Sequence, residues 1–240
     1  MPFDQLKTLG IDHTKLTNFV HSRLNTDTVY NIPLLTPKQT IDIIDKISSN
    51  KASGYDGMSV RLLKKIIPVF ANPLCKLLNL SISTNSFPNH WKIAKVTPLH
   101  KGGTRNDINN YRPISVLPVL SKILEKHVAS SLSKFLCNNN LLYELQSAFR
   151  SGHSTETALI RLTDQILMNM DNDEVTGLVF IDFRKAFDVI DHELLLKKLS
   201  IYGATPSSVA WFKSYLSERK QFISLGKTTS EKLTVKQGVS

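Results

Sequence analysis

The run Val175 to Phe183 is the feature that most constrains this chain. It reads Val-Thr-Gly-Leu-Val-Phe-Ile-Asp-Phe and is almost continuous in apolar side chains. Such a run predicts a strand in the middle of a sheet, buried on both faces. Alternation then puts Leu178, Phe180 and Asp182 on one face. A carboxylate there cannot stand alone, because taking a lone charge out of water is costly. Asp182 therefore needs a cation, a metal ion or the solvent of a cleft. The bland alternative is an Asp at a strand end that caps the next turn. Asp188 and Asp191 precede a helix start, where they read as caps or dipole partners.

Charge is the second constraint. The chain has 30 Lys plus Arg against 20 Asp plus Glu, a net charge of +10. Residues 1–120 hold 15 basic and 7 acidic side chains, while residues 121–240 hold 15 and 13. No carboxylate lies between Asp56 and Asp107, a stretch carrying Arg61, Lys64, Lys65, Lys76, Lys92, Lys95, Lys101 and Arg105. Cations without anions point to a polyphosphate partner, with a solvated basic face as the plain alternative. The acids return together as Asp171, Asp173, Glu174, Asp182, Asp188, Asp191 and Glu193. A basic half followed by an acidic knot suits phosphate handling with metal ions, and suits salt bridging between halves equally.

The 240 residues, 41% of them apolar, allow one large domain or two small ones and exclude general disorder. No apolar run reaches the ~18 residues of a membrane span, so no membrane is expected. Asp4, Lys7, Asp12 and Lys15 interrupt any signal-peptide core. Cys75 and Cys137 have no metal-ligand spacing and read as small buried apolar groups in a reducing compartment.

Residues 1–35 read as a short helix plus connector. Thr36-Pro37 starts a helix that Gly54 and Gly57 end beyond Lys51. Val60–Ile67 and Val69–Ser83 read as two helices split by Pro68. Trp91–His100 and Arg112–Val116 form a hairpin around Lys101-Gly102-Gly103. Apolar residues at helical spacing predict a helix over 119–136 and another capped by Ser154 or Thr155. Helices from His192 to Tyr202 and from Pro206 to about Ser217 follow Val175–Phe183. Gln221–Leu225 and Leu233–Val235 suggest a closing hairpin. The order is that of an α+β fold.

Four blocks resemble reverse transcriptases of non-long-terminal-repeat (LINE-like) retrotransposons. Phe180-Ile181-Asp182-Phe183-Arg184-Lys185-Ala186-Phe187-Asp188 looks like the family's first catalytic segment. Lys51-Ala52-Ser53-Gly54-Tyr55-Asp56-Gly57 is similar to its leading segment. Trp91 to Gly102, followed by Asn110-Tyr111-Arg112-Pro113-Ile114-Ser115, resembles its fingers hairpin. Gln146-Ser147-Ala148-Phe149-Arg150-Ser151-Gly152-His153-Ser154-Thr155 resembles the block that comes next. Together the blocks cover roughly 36–240. Group II intron maturases and telomerases match less closely around Tyr111–Ser115 and Ala186–Asp188.

The resemblance implies the fingers and the first half of the palm of a right-hand polymerase, with helices around a fingers hairpin and a small antiparallel palm sheet. It divides the chain into a connector (1–35), a fingers-like region (36–170) and a partial palm (171–240). It implies RNA-directed DNA synthesis by two-metal nucleotidyl transfer, with two Mg2+ ions, an RNA template, a DNA primer and deoxynucleoside triphosphates. Asp182 matches the catalytic aspartate that binds both metals, and Phe183 would add its backbone carbonyl. Lys101 and Arg112 match the residues that grip the triphosphate. Phe187 matches the residue beneath the nucleotide sugar, and Arg150 belongs to a template-side surface. Localisation by resemblance is intracellular, in cytoplasm and nucleus.

The chain holds no Asp-Asp pair and no Asp after Asp191. The family carries such a pair on a later hairpin, so the chain reads as truncated within the Lys236-Gln237-Gly238-Val239-Ser240 block and inactive alone. The alternative is a non-catalytic remnant that binds RNA or DNA. A nuclease built on Asp182, Asp188 and Asp191 is a weaker third reading.

Overall fold

A computed structural model describes residues 13–25, 27–183 and 186–239. Arg184, Lys185 and the first part of the expected N-terminal helix lie outside these. Helices α1 (Thr14–His21), α2 (Pro37–Asp45) and α3 (Val60–Ser83) precede strands β1 (Ile93–His100) and β2 (Tyr111–Val116). Helices α4 (Val119–Asn138), α5 (Thr155–Asp171), α6 (His192–Ile201) and α7 (Pro206–Leu216) follow. Strands β3 (Lys220–Leu225), β4 (Thr228–Thr229) and β5 (Leu233–Thr234) complete the order. The fold is α+β, as the element pattern predicts.

Local chemistry sets most helix starts. The Thr36 hydroxyl accepts from the Gln39 N–H, the Gln39 side chain accepts from the Thr36 N–H, and Pro37 takes the first turn of α2. Ser154 and Thr157 form the equivalent reciprocal cap on α5. Ser59, Asp191 and Thr205 cap α3, α6 and α7.

Helix α3 differs from the sequence expectation, since it runs unbroken through Pro68 and Pro73. Each proline costs a helix interior about 3 kcal/mol. The buried stripe Val60, Leu63, Ile67, Ala71, Leu74, Leu78 and Ile82 outweighs that, at roughly 1.5–3 kcal/mol for each large side chain. The helix is also long and apolar enough to cross a membrane, by length and composition only, with its buried stripe in the protein core.

That stripe meets Ile44 of α2 and Val119, Ile123, Leu124 and Val128 of α4 in one core. An aromatic cluster closes it. Phe87 makes edge contacts with Trp91, Trp211 and Tyr215, and Trp211 stacks on Tyr215 with centroids 5.6 Å apart. Cys75 is buried as expected, whereas Cys137 is exposed.

The sheet is mixed, a correction to the antiparallel expectation. β1 pairs antiparallel with β2, from Lys95↔Val116 to His100↔Tyr111, and parallel with β3, from Ile93↔Lys220 to Val96↔Ile223. β4 and β5 both pair antiparallel with β3, so the expected closing hairpin extends the sheet that carries the first hairpin.

The main correction concerns residues 175–183, which form no strand and lie in the open. Val175 is 100% exposed and Phe180 84%, with Val179, Ile181 and Phe183 exposed too. The reason is the ladder. β2 and β3 occupy the two edges of β1, and β1, β4 and β5 occupy those of β3. An apolar run becomes an interior strand only when neighbours take its N–H and C=O groups, and no described strand does so here.

Candidate functional site

The β1–β2 hairpin builds the first part of the site. The Lys101 N–H donates to the Asn110 carbonyl at 2.9 Å, which continues the ladder one step past His100↔Tyr111. Gly102 and Gly103 then turn the chain with φ of +123° and +79°, a region open to glycine. The Asn110 side chain ties the loop by donating to the Thr104 carbonyl, and the Tyr111 hydroxyl donates to that of Arg105.

Leu99 sits opposite Arg112. Alternation puts Lys101 on the face of Leu99 and so of Arg112. The two cations thus share one end of the hairpin. Both are exposed, and neither side chain has a partner among the described residues. His100 lies between them in sequence, its ring 5.1 Å from that of Tyr111, with Nε2 buried and unsatisfied.

The second part gathers three segments that are distant in sequence. The Phe149 ring meets the Phe187 ring edge to face, with centroids 5.7 Å apart. The Val239 N–H donates to the Phe187 carbonyl and the Gly238 N–H to that of Ile190, both at 3.0 Å. His192 Nε2 donates to the Gly238 carbonyl at 2.7 Å. Gly238 has φ +85°, and a Cβ there would lie 2.8 Å from the Asp188 carbonyl oxygen. The Gln146–Thr155 block, the turn after Asp182 and the Gln237-Gly238 segment therefore converge.

A third junction holds the leading block. A Cβ on Gly54 would lie 2.7 Å from the Pro118 nitrogen. Only glycine lets Lys51–Gly57 approach the junction of β2 with α4 so closely. Lys122 reaches back from α4 to the Ala52 carbonyl at 3.4 Å, and burial holds its ammonium below the usual lysine range.

Arg150 is committed to its own loop. Its Nη1 donates to the carbonyls of Tyr143, Glu144 and Gln146 at 3.2–3.4 Å. It also lines a cleft of about 420 Å³ with Arg23, Phe19 and Tyr143. Asp182 is exposed, on the unladdered run, and no hydrogen bond ties it to Lys101, Arg112 or Phe187 among the described residues. The burial expected for its strand face is not realised, so solvent, not a buried cation, satisfies its charge.

Among the described residues no three His, Cys, Asp or Glu side chains group to hold an ion. Asp182 with the Phe183 carbonyl is too small a set for two hard cations, which take about six oxygen ligands each. The residues present do not fit a two-ion centre.

Sequence reasoning missed Phe149, His192 and Gly54. The signal for Phe149 was available, as a lone aromatic ring in a polar block followed by Arg. The contacts of His192 and Gly54 need tertiary structure to be seen.

Comparison with known proteins follows the same blocks. A family model described as reverse transcriptase (RNA-dependent DNA polymerase) matches residues 99–240. The probable RNA-directed DNA polymerase from transposon BS of Drosophila melanogaster is 30% identical over 203 residues, covering 84% of this chain and 22% of the relative. The corresponding protein from transposon X-element of the same species is 31% identical over 205 residues, 85% of this chain and 22% of the relative. The RNA-directed DNA polymerase from its mobile element jockey is 30% identical over 198 residues, 81% and 22% respectively. The chain thus spans about a fifth of the length of these curated relatives. The match begins inside the β1–β2 hairpin and runs through every later block described above, so the chain belongs to the reverse transcriptase family, among those of non-long-terminal-repeat retrotransposons.

Proposed function

We propose that this chain is the nucleotide-gripping part of an RNA-directed DNA polymerase, comprising fingers and the first half of a palm. The observation that carries the reading is the pair of exposed cations, Lys101 and Arg112, at one end of the hairpin, with no side-chain partner among the described residues. Two unneutralised cations held by a rigid ladder suit a triphosphate. The Arg guanidinium offers a planar fork to phosphate oxygens, and the Lys a compact charge.

In this reading the Phe187 ring lies under the sugar of a deoxynucleoside triphosphate and a 2′-hydroxyl would collide with it. Phe149 holds that ring edge-on. The nitrogens of Arg150 other than Nη1 face template phosphate. Asp182 supplies one carboxylate of the kind that holds magnesium in the family, a set too small to hold two ions by itself. With no second carboxylate pair, this chain binds but does not extend a primer. RNA template and DNA primer are its partners, in cytoplasm and nucleus.

The test is a titration with dTTP and dTMP, read by calorimetry. The triphosphate should bind more tightly than the monophosphate, and Lys101→Ala and Arg112→Ala should each weaken it about tenfold or more, as loss of one charge-assisted contact does. Equal binding of both nucleotides, or variants that bind as the parent does, overturns the reading. A non-catalytic remnant that binds RNA or DNA is favoured instead if single-stranded RNA binds with a steep salt dependence while dTTP does not.

A further inference from the structure

The start of α6 does not need the His192 ring. Asp191 already caps that helix, its side chain accepting from the Leu194 N–H at 2.8 Å. His192 stands next, half-buried in the first turn of a helix that Leu199 packs against the core. Its Nε2 instead reaches the Gly238 carbonyl, 46 positions away, at 2.7 Å. A carbonyl only accepts, so Nε2 carries the proton.

Gly238 is the residue through which the 187–192 turn is held. It is buried, and a Cβ on it would lie 2.9 Å from the Phe187 carbonyl oxygen. Its N–H donates to the Ile190 carbonyl, and the next N–H, of Val239, donates to the Phe187 carbonyl. His192 therefore grips the carbonyl of the residue whose own amide, and whose neighbour's amide, pin the main chain that carries Phe187. The Phe187 ring itself is exposed, and the ring contact recorded for it among the described residues is the edge of Phe149, which is exposed too. Phe149 is a light wall, so the place of the Phe187 ring is set from its own backbone.

We infer that His192 is a positioning residue for Phe187, and that through Gly238 it sets the preference of the site for a deoxyribose over a ribose. The inference rests on the reading of Phe187 as the residue beneath the nucleotide sugar. A pocket that yields accepts an added hydroxyl with little loss. Rejection of a 2′-hydroxyl needs a ring that does not retreat, and a ring holds its place only as firmly as the contacts behind it. The bond from His192 ties those contacts to a helix seated on the core.

The experiment is calorimetric titration of the 240-residue chain with dCTP and with CTP, which differ only in the 2′-hydroxyl, together with hydrogen exchange at the Val239 amide. The parent should bind dCTP about tenfold or more tightly than CTP, the scale of one overpacked contact. His192→Leu keeps bulk and removes the donor. It should raise CTP affinity about fivefold and speed Val239 exchange about as much, the worth of one hydrogen bond. His192→Gln returns an N–H near the place of Nε2 and should restore both parent values. A gain in CTP binding is not what misfolding gives, since a merely structural role would weaken both nucleotides together.

CTP binding that does not rise in His192→Leu, or that rises equally in His192→Gln, overturns the inference. So does Val239 exchange that stays at the parent rate in His192→Leu. Phe187→Ala separates this inference from the reading beneath it, because it should raise CTP binding with His192 intact. A rise in Phe187→Ala without one in His192→Leu overturns the role of His192 alone. No rise in Phe187→Ala overturns the placing of Phe187 under the sugar, and the role of His192 with it.

Discussion

Phe149 and Phe187 meet edge to face with ring centroids 5.7 Å apart, although 38 positions separate them in the chain. Phe149 adopts a left-handed φ of +58° to make the contact and stays 86% exposed. A non-glycine residue in that region stores about 1 kcal/mol or more of strain. Alanine at the two positions, singly and together, should reveal a coupling of about 0.5–1.5 kcal/mol in a denaturation cycle. Purely additive effects would show that the rings only neighbour each other.

Gly54→Ala should destabilise the chain by about 1–3 kcal/mol, the usual cost of overpacking. The added Cβ meets the Pro118 and Leu117 backbone at 2.7–2.9 Å, and backbone in a strand-to-helix junction yields poorly. For a chain of this size a loss of that order lowers the melting temperature by a few degrees. An unchanged melting temperature would mean that the junction relaxes freely. Gly57→Ala is the control for added bulk, because nothing lies within 4 Å of a Cβ there, though its φ of +70° carries a strain of its own.

Gly238→Ala should release the 236–239 segment from the 187–192 turn. The new Cβ would meet the Asp188 carbonyl oxygen at 2.8 Å, on a backbone already at φ +85°. The Gly238 and Val239 amides, which donate to Ile190 and Phe187, should then exchange with solvent deuterium at least tenfold faster, with the core of α3 unaffected. Exchange as slow as in the parent would contradict the contact.

How much of this was legible in the sequence depended on which forces were local. Caps at Thr36, Ser154 and Thr205 and the hairpin around Gly102-Gly103 follow from side chains within four residues of the feature they set. The break expected at Pro68 fails because burial of the α3 stripe is a tertiary effect stronger than one proline. The strand expected at Val175–Phe183 fails for the opposite reason. Its composition is right, but a strand is defined by its neighbours, and no described strand lies beside it. Lys101 and Arg112 are named together through the resemblance, and the hairpin register that puts them at one end comes from the structure. The contacts of Gly238 with Asp188 and of Gly54 with Pro118 could not be read from sequence.

Stability should fall as pH rises above 10. Tyr215 is half-buried and donates to Glu125 at 3.1 Å, and its burial raises the phenol above the usual value of 10.0, reinforced by the Glu125 charge. Burial raises Tyr30 in the same direction. The unfolded chain therefore loses these protons first, binds fewer of them than the native chain above pH 10, and gains relative stability as pH climbs. Tyr215→Phe should cost about 1.5–3 kcal/mol at pH 7, the worth of a hydrogen bond to a charged group. It should also flatten the alkaline decline. A variant whose decline parallels that of the parent would remove Tyr215 as its source.

In the proposed reading Lys101 and Arg112 grip a triphosphate, and these 240 residues, which hold no Asp-Asp pair, do not extend a primer by themselves. The direct measurement is incubation of the 240-residue chain with an RNA template, an annealed DNA primer, labelled dTTP and Mg2+, following label in the protein complex and in the primer. Label retained by the chain, dependent on Arg112, with none in the primer, is the predicted result. Label in the primer that disappears in Asp182→Ala would contradict it.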